Sequence, residues 1–286
     1  MCQSDECGPG RRDVLAGALA TGALALLPSA AQAAGTRVRV PTPAGPIDAY
    51  LATPTGRGRH PGVLVMHGQY GLPAWTCAVA DELAAAGFVG LAVARFSRAP
   101  GPTEAEVRDD GRGARRFLTE TFFREQQQEV LGAVTYLRGL GSVRRGPLGA
   151  VGFCGGGINA VRLSLVTPGI GAAVSFYGPP ALPAQYKHPT DPIVDLVDLA
   201  ARVRTPVQVH YGTNDYAVPA AAVERFAGLL RQAGTPVEVY AYDGAQHGFY
   251  DSANASPANT GAATLARGRY LAFLRARLTG ARATRS

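Results

Sequence analysis

Lysine is nearly missing from this chain. Of 28 basic residues in 286, 27 are arginine and only Lys187 is lysine. The arginines are scattered, with nothing longer than pairs such as Arg115-Arg116 and Arg144-Arg145. A formal net charge of +7 therefore forms no basic stripe interleaved with aromatics, which argues against a nucleic-acid footprint. Attraction of small anionic substrates is the modest consequence that remains. Histidine is also sparse, at positions 60, 67, 188, 210 and 247. No His/Cys/Asp group has the spacing of metal ligands, so neither a metal nor another cofactor is expected. Long apolar runs are absent as well. The stretch Val14 to Leu27 has 14 residues, short of the roughly 20 a helix needs to cross a bilayer. Against these absences, 47% hydrophobic and 17% charged residues are ordinary for a globular enzyme. The length suits one large α/β domain with a buried core.

The first 33 residues read as an export signal that is removed, leaving a single domain over 34–286. Arg11-Arg12 precede the Ala-, Gly- and Leu-rich stretch, and a small-residue site, Ala31-Gln32-Ala33, follows it. Gly10-Arg11-Arg12-Asp13-Val14-Leu15 resembles a twin-arginine signal, with Val where Phe is common and no Lys after the Leu. An ordinary secretory signal is the alternative, opposed by Asp5 and Glu6 in its charged region. Either route places the mature protein in the periplasm or outside the cell. Removal leaves only Cys77 and Cys154, both expected as free thiols.

Along the mature chain, apolar runs alternate with helical patterns. Strands are expected at Thr36 to Val40, Ile47 to Ala52, Gly62 to Met66, Val89 to Ala94, Leu148 to Val151, Ala172 to Phe176, Val207 to Tyr211 and Val237 to Tyr242. Helices are expected at about Thr76 to Ala86, Phe122 to Leu137, Gly157 to Val166, Ala220 to Ala233 and Ala262 to Leu278. The polar, Pro/Gly-rich segment from Arg95 to Gly113 reads as a loop. Such alternation predicts an α/β fold, a mainly parallel sheet with helices on both faces.

The chemistry concentrates in Gly152-Phe153-Cys154-Gly155-Gly156, placed between a strand and a helix. That is the setting of a nucleophile elbow, here with a thiol in place of the usual hydroxyl. A thiol attacks as thiolate and needs a base. His247 follows the last strand and Asp215 follows the strand before it, so the order Cys154, Asp215, His247 is that of an α/β-hydrolase. Cys154 is the expected nucleophile, His247 the base and Asp215 the group that orients it. The Gly155 and Gln69 N–H groups are the expected oxyanion donors, and Tyr70, Phe249 and Tyr250 the expected pocket residues. The plainer alternatives are an Asx-type turn for Asp215 and a packed turn histidine for His247. His67 reads as a structural loop partner, His210 as a core histidine, His60 and His188 as loop residues, and Cys77 as packing.

These motifs, with Ser175-Phe176-Tyr177-Gly178, Gly212-Thr213-Asn214-Asp215, Gln246-His247-Gly248-Phe249 and Gln69-Tyr70-Gly71-Leu72, resemble the dienelactone hydrolase family, cysteine members of the α/β-hydrolase fold. The resemblance implies hydrolysis of a small ester or lactone through Cys154, Asp215 and His247, by way of an acyl-thioester. Two positions depart from the family pattern. Gly68 stands where a glutamate that helps form the thiolate is expected, and Tyr250-Asp251 stand where an arginine that binds the substrate carboxylate is expected. Another arginine, Arg95, Arg98 or Arg124, would have to take that second place. Thioester or small-amide hydrolysis, and a catalytically weak binding protein on the same scaffold, are the competing functions. A redox role for Cys154 finds no C-x-x-C motif to support it.

Overall fold

Two short strands, β1 (Thr36–Val40) and β2 (Ile47–Ala52), pair antiparallel at one edge of the sheet, with Thr36 opposite Leu51 and Val40 opposite Ile47. The computed structural model describes residues 35–68, 71–97 and 118–280. The expected export segment, Gln69, Tyr70 and Arg98 lie outside the described residues. β3 (Gly62–Met66), β4 (Val89–Val93), β5 (Leu148–Phe153) and β7 (Val207–Gly212) are buried at every position. β6 (Ile170–Phe176) is buried except at Gly171, and β8 (Val237–Tyr242) is half-buried at the far edge. Continuous apolar strands of this kind need cover on both faces, as parallel strands do. The sheet order is β1-β2-β4-β3-β5-β6-β7-β8, with β2 antiparallel to β4 and parallel pairing from β4 to β8. This is the mainly parallel α/β-hydrolase sheet that the alternation predicts.

The described helices are α1 (Ala74–Ala85), α2 (Glu120–Gly139), α3 (Gly155–Val166), the short α4 (Leu196–Leu199), α5 (Ala220–Gln232) and α6 (Pro257–Leu278). Alternating residues of β3 serve opposite faces. Val63 and Val65 join a core with Val79 and Leu83 of α1 and Phe273 and Leu274 of α6. Leu64 and Met66 join another with Val130 and Leu137 of α2.

Several helix starts differ from the sequence expectation, and caps account for two of them. α2 begins at Glu120 because the Thr119 hydroxyl accepts the Phe122 N–H. α6 begins at Pro257 because Ser256 accepts the Asn259 N–H and proline suits the first turn. α3 begins at Gly155, two residues before Gly157. β6 likewise starts earlier, at Ile170, and α4 had no sequence signal. The carboxyl ends of β3, β5, β6, β7 and β8 run into His67, Cys154, Tyr177, Thr213 and Asp243 on one side of the sheet. In an open α/β sheet, ligands bind at this end.

Candidate active site

One residue makes the whole reversal between β5 and α3. Cys154 has φ 54 and ψ −122, a backbone state that L-residues hold only where the surroundings enforce it. Those surroundings are glycines in very close contact. A Cβ on Gly152 would stand 1.9 Å from the Gly156 carbonyl oxygen, and one on Gly156 would stand 2.2 Å from that of Met66. Neither position accepts a side chain without moving backbone. The Cys154 N–H donates to Phe176 O at 2.9 Å, which ties the turn to the end of β6.

His247 and Asp215 meet Cys154 from the neighbouring strand ends. The His247 ring nitrogen Nδ1 lies 2.9 Å from Asp215 Oδ2 and 3.0 Å from Oδ1. The Asp215 side chain is fully buried, and Oδ1 also accepts the Ala217 and Val218 N–H groups at 2.8 and 3.2 Å. The Asx-turn and histidine-orienting readings of Asp215 therefore describe one arrangement: the turn bonds aim the carboxylate at the imidazole. Burial by itself would raise the Cys154 thiol, but the charge and hydrogen bond of His247, with the Gly155 N–H, hold it below the ordinary thiol value. Burial by itself would lower His247, but the Cys154 charge and the Asp215 carboxylate push it up to about 10. The two shifts favour a thiolate–imidazolium pair, whose protons belong to the pair and not to either residue.

Behind the nucleophile, His67 and Arg95 anchor the start of the loop after β3. His67 is fully buried. Its Nε2 accepts the Arg95 N–H at 2.9 Å, so the proton is on Nδ1, which donates to Gly68 O at 2.6 Å. Burial and the Arg95 charge keep the ring neutral. The Arg95 guanidinium donates through Nη1 to Gln126 Oε1 at 2.7 Å and through Nη2 to Gly68 O at 3.1 Å. A Cβ on Gly68 would stand 3.3 Å from Cys154 Cβ. A side chain there would rest on Cys154, and this chain leaves that space open.

Two cavities, both open to solvent, meet at Cys154 and His247. Arg95, Phe96, Ile158 and Leu182 line the first. Trp75, Tyr177, Asp251 and Asn254 line the second. Phe249 and Tyr250, expected as pocket residues, line neither. Phe249 packs under Tyr242 and Tyr177, with ring centroids 5.1 and 5.3 Å apart. The Tyr250 hydroxyl donates to Glu82 Oε1 at 2.8 Å, and Tyr270 and Arg267 share the same carboxylate. Aromatic packing and the half-buried Glu82 carboxylate thus claim both side chains. Of the three arginines considered, Arg95 reaches the cavity, whereas Arg124 is exposed and pairs with Glu120 at 3.3 Å. Tyr177 and Trp75 had not been expected to line it. The sequence signals for Tyr177 are its place one residue past an apolar strand and its position in the motif Ser175-Phe176-Tyr177-Gly178. Cys77 is buried and free, and His210 is a core histidine between Tyr242 Oη and Gln208 Oε1, each at 2.8 Å. Among the described residues no acidic, histidine or cysteine cluster could hold a metal, and no helix is long and apolar enough to cross a membrane.

Fold and site define an α/β-hydrolase whose elbow carries cysteine. The dienelactone hydrolase family model matches residues 47–278. The chain belongs to that family and is a hydrolase of its ester and lactone class. A relative from Methylorubrum extorquens that bears the name carboxymethylenebutenolidase is 30% identical over 269 residues, 88% of this chain and 89% of its own. A Bradyrhizobium relative that bears the name 2-oxo-3-(5-oxofuran-2-ylidene)propanoate lactonase is 33% identical over 204 residues, covering 71% of this chain and 79% of its own. A crystal structure named as a dienelactone hydrolase from Klebsiella pneumoniae superposes with a TM-score of 0.73 at 23% identity, covering 83% of this chain and 96% of that one. At that identity the likeness concerns the fold.

Proposed function

We propose that this chain is an exported thiol hydrolase of small esters or lactones, with Cys154 as nucleophile, His247 as base and acid, and Asp215 as the group that orients the imidazole. The observation that carries the reading is the buried Asp215 carboxylate 2.9 Å from His247, with Cys154 held at the strained turn beside the same ring. His247 takes the thiol proton, and Sγ attacks the carbonyl carbon. The Gly155 N–H, at the start of α3, faces the oxygen that becomes negative, and the Gln69 N–H is the second donor by sequence position. The carbon–oxygen bond of the alcohol breaks as His247 returns the proton to the leaving oxygen. Water, deprotonated by His247, then hydrolyses the acyl-thioester and frees Sγ. Export rests on the twin-arginine-like segment alone.

The two relatives' names point to lactones that carry a carboxylate. Asp251 in the second cavity disfavours an anionic group on that side, so a neutral ester or lactone is the preferred substrate class. Cys154→Ala should lower turnover of p-nitrophenyl acetate or a simple lactone by at least about 1,000-fold. Unchanged turnover would exclude the thiol mechanism, and slow alkylation of Cys154 that does not depend on His247 would favour the binding-protein alternative.

A further inference from the structure

Arg95 is an unusual residue to find behind a nucleophile. It is 4% exposed, and its guanidinium makes two hydrogen bonds, both to neutral acceptors, Gln126 Oε1 and Gly68 O. Its Nε–H is buried without a partner. Among the described residues, Cys154 is the charged group that acts on it. Among the described residues no carboxylate pairs with this buried guanidinium, which leaves its charge to be balanced by an anion in the cavity. The geometry shows where that anion would be. Nη2 lies 3.7 Å from where a Gly155 Cβ would stand, and Arg95, Gly155 and Cys154 share one cavity wall. The carbonyl that Nη2 holds belongs to Gly68, the residue whose side-chain space opens onto Cys154 Cβ at 3.3 Å. The apolar side chains of Phe96, Phe123 and Ile158 around it lower the local dielectric, which strengthens any charge interaction there.

We infer that Arg95 is the fixed cation that holds the Cys154 thiolate, a role that rests on Cys154 being the nucleophile and that replaces activation by a carboxylate at position 68. Arg95 exchanges no proton and forms no bond with sulfur. The proton passes from Sγ to His247, and Arg95 stabilises the charge left behind. The other charged or titratable groups facing the sulfur are His247, Asp215 and Tyr177, with Asp251 and Tyr216 further along the second cavity. Of these, only His247 and Arg95 can be cationic. An opposite charge beside an acid favours its ionised form, so removing Arg95 moves the thiol upward.

The test is the pH dependence of iodoacetamide alkylation at Cys154, resolved by mass spectrometry in the intact chain, for the wild type, Arg95→Gln and Arg95→Lys. The expected result is a wild-type midpoint well below that of an ordinary thiol, raised by about one unit or more in Arg95→Gln and largely kept in Arg95→Lys. An unchanged midpoint in folded Arg95→Gln overturns the inference, including the case in which the variant only raises KM for an anionic ester. If Arg95→Gln does not fold, Arg95→Lys decides. Lysine keeps the charge and loses the fork that joins Gln126 to Gly68, so a midpoint raised by a full unit there assigns Arg95 a purely structural role. A wild-type midpoint in the ordinary thiol range would instead remove the nucleophile reading itself, which separates the two failures.

Discussion

The two cavities that meet at Cys154 have opposite chemistry. One is apolar apart from a buried guanidinium, with Phe96, Phe123, Ile158 and Leu182 around Arg95. The other carries an acid and an amide, Asp251 and Asn254, beside Trp75 and Tyr177. Cys154, His247 and Tyr216 belong to both. The difference divides the work. The more apolar side is suited to favouring a charge on sulfur, and the acidic side to selecting among groups that approach the carbonyl from the other direction. Under the proposed mechanism, specificity resides in two walls around Cys154, so that Cys154, His247 and Asp215 alone do not define a substrate.

The largest effect should come from the shared axis. Asp215→Asn keeps the turn bonds to Ala217 and Val218 yet offers His247 the wrong partner, and kcat/KM should drop on the order of 10⁴-fold. The loss should be equal for esters that differ in charge, because both cavities remain intact. A loss confined to one charge class would mean that Asp215 acts on the substrate and would break the division between axis and walls.

Next in size is the pH profile of kcat/KM. It should be a bell. On the acid side activity drops about tenfold per pH unit as the thiolate is protonated, with a midpoint below that of a free thiol; on the alkaline side it declines near pH 10 as the imidazolium loses the proton needed by the leaving group. The comparison predicts which limb each wall controls. Replacing Arg95 should move the acid limb upward, and Asp251→Asn should leave it in place. Equal movement in both variants would show that the walls do not differ in their hold on sulfur.

How far this was legible in the sequence depended on whether local pattern or long-range packing decided the matter. The eight strands and the Cys154–Asp215–His247 order could be read because buried strands are continuous apolar runs and their ends carry the chemistry. The glycine pair at 152 and 156 could be read because only an elbow needs both. Arg95 could not be placed. It opens a polar, Pro/Gly-rich segment that reads as exposed loop, and its burial follows from bonds to His67, Gly68 and Gln126, residues 27 to 31 positions away. Phe249 and Tyr250 misled for the converse reason. Adjacency to His247 suggested a pocket wall, but the aromatic cluster under β8 and the Glu82 carboxylate had stronger claims on them.

A smaller effect should follow from neutralising the acidic wall. The Asp251 carboxylate caps the Ala253 N–H at 2.9 Å, a bond that asparagine can also accept, so Asp251→Asn should fold normally. Removing one negative charge from the cavity should raise kcat/KM for a carboxylate-bearing ester roughly fivefold, and leave a neutral ester of the same size unchanged. Competition between the two esters for one enzyme preparation measures this ratio directly. An equal change for both substrates would place Asp251 outside the reach of the bound group, and the acidic side would lose its role in selection.

The smallest expected effect is on stability. The Tyr177 hydroxyl is buried with no hydrogen-bond partner, and burial raises its pKa well above the ordinary value, so it stays protonated as a donor. An unpaired buried hydroxyl costs about 1 kcal/mol or more. Tyr177→Phe should therefore stabilise the protein by about that amount, about 2–3 °C in Tm for a domain of this size, while keeping the edge-to-face contact with His247 at 5.1 Å. If the hydroxyl serves the acidic wall as a donor to substrate, the same variant should raise KM with little change in kcat. A rise in Tm with unchanged KM would make Tyr177 packing alone and leave Asp251 and Asn254 as the polar groups that distinguish the second cavity. A drop in Tm would show that the hydroxyl has a partner in solution and is part of what holds His247 against Cys154.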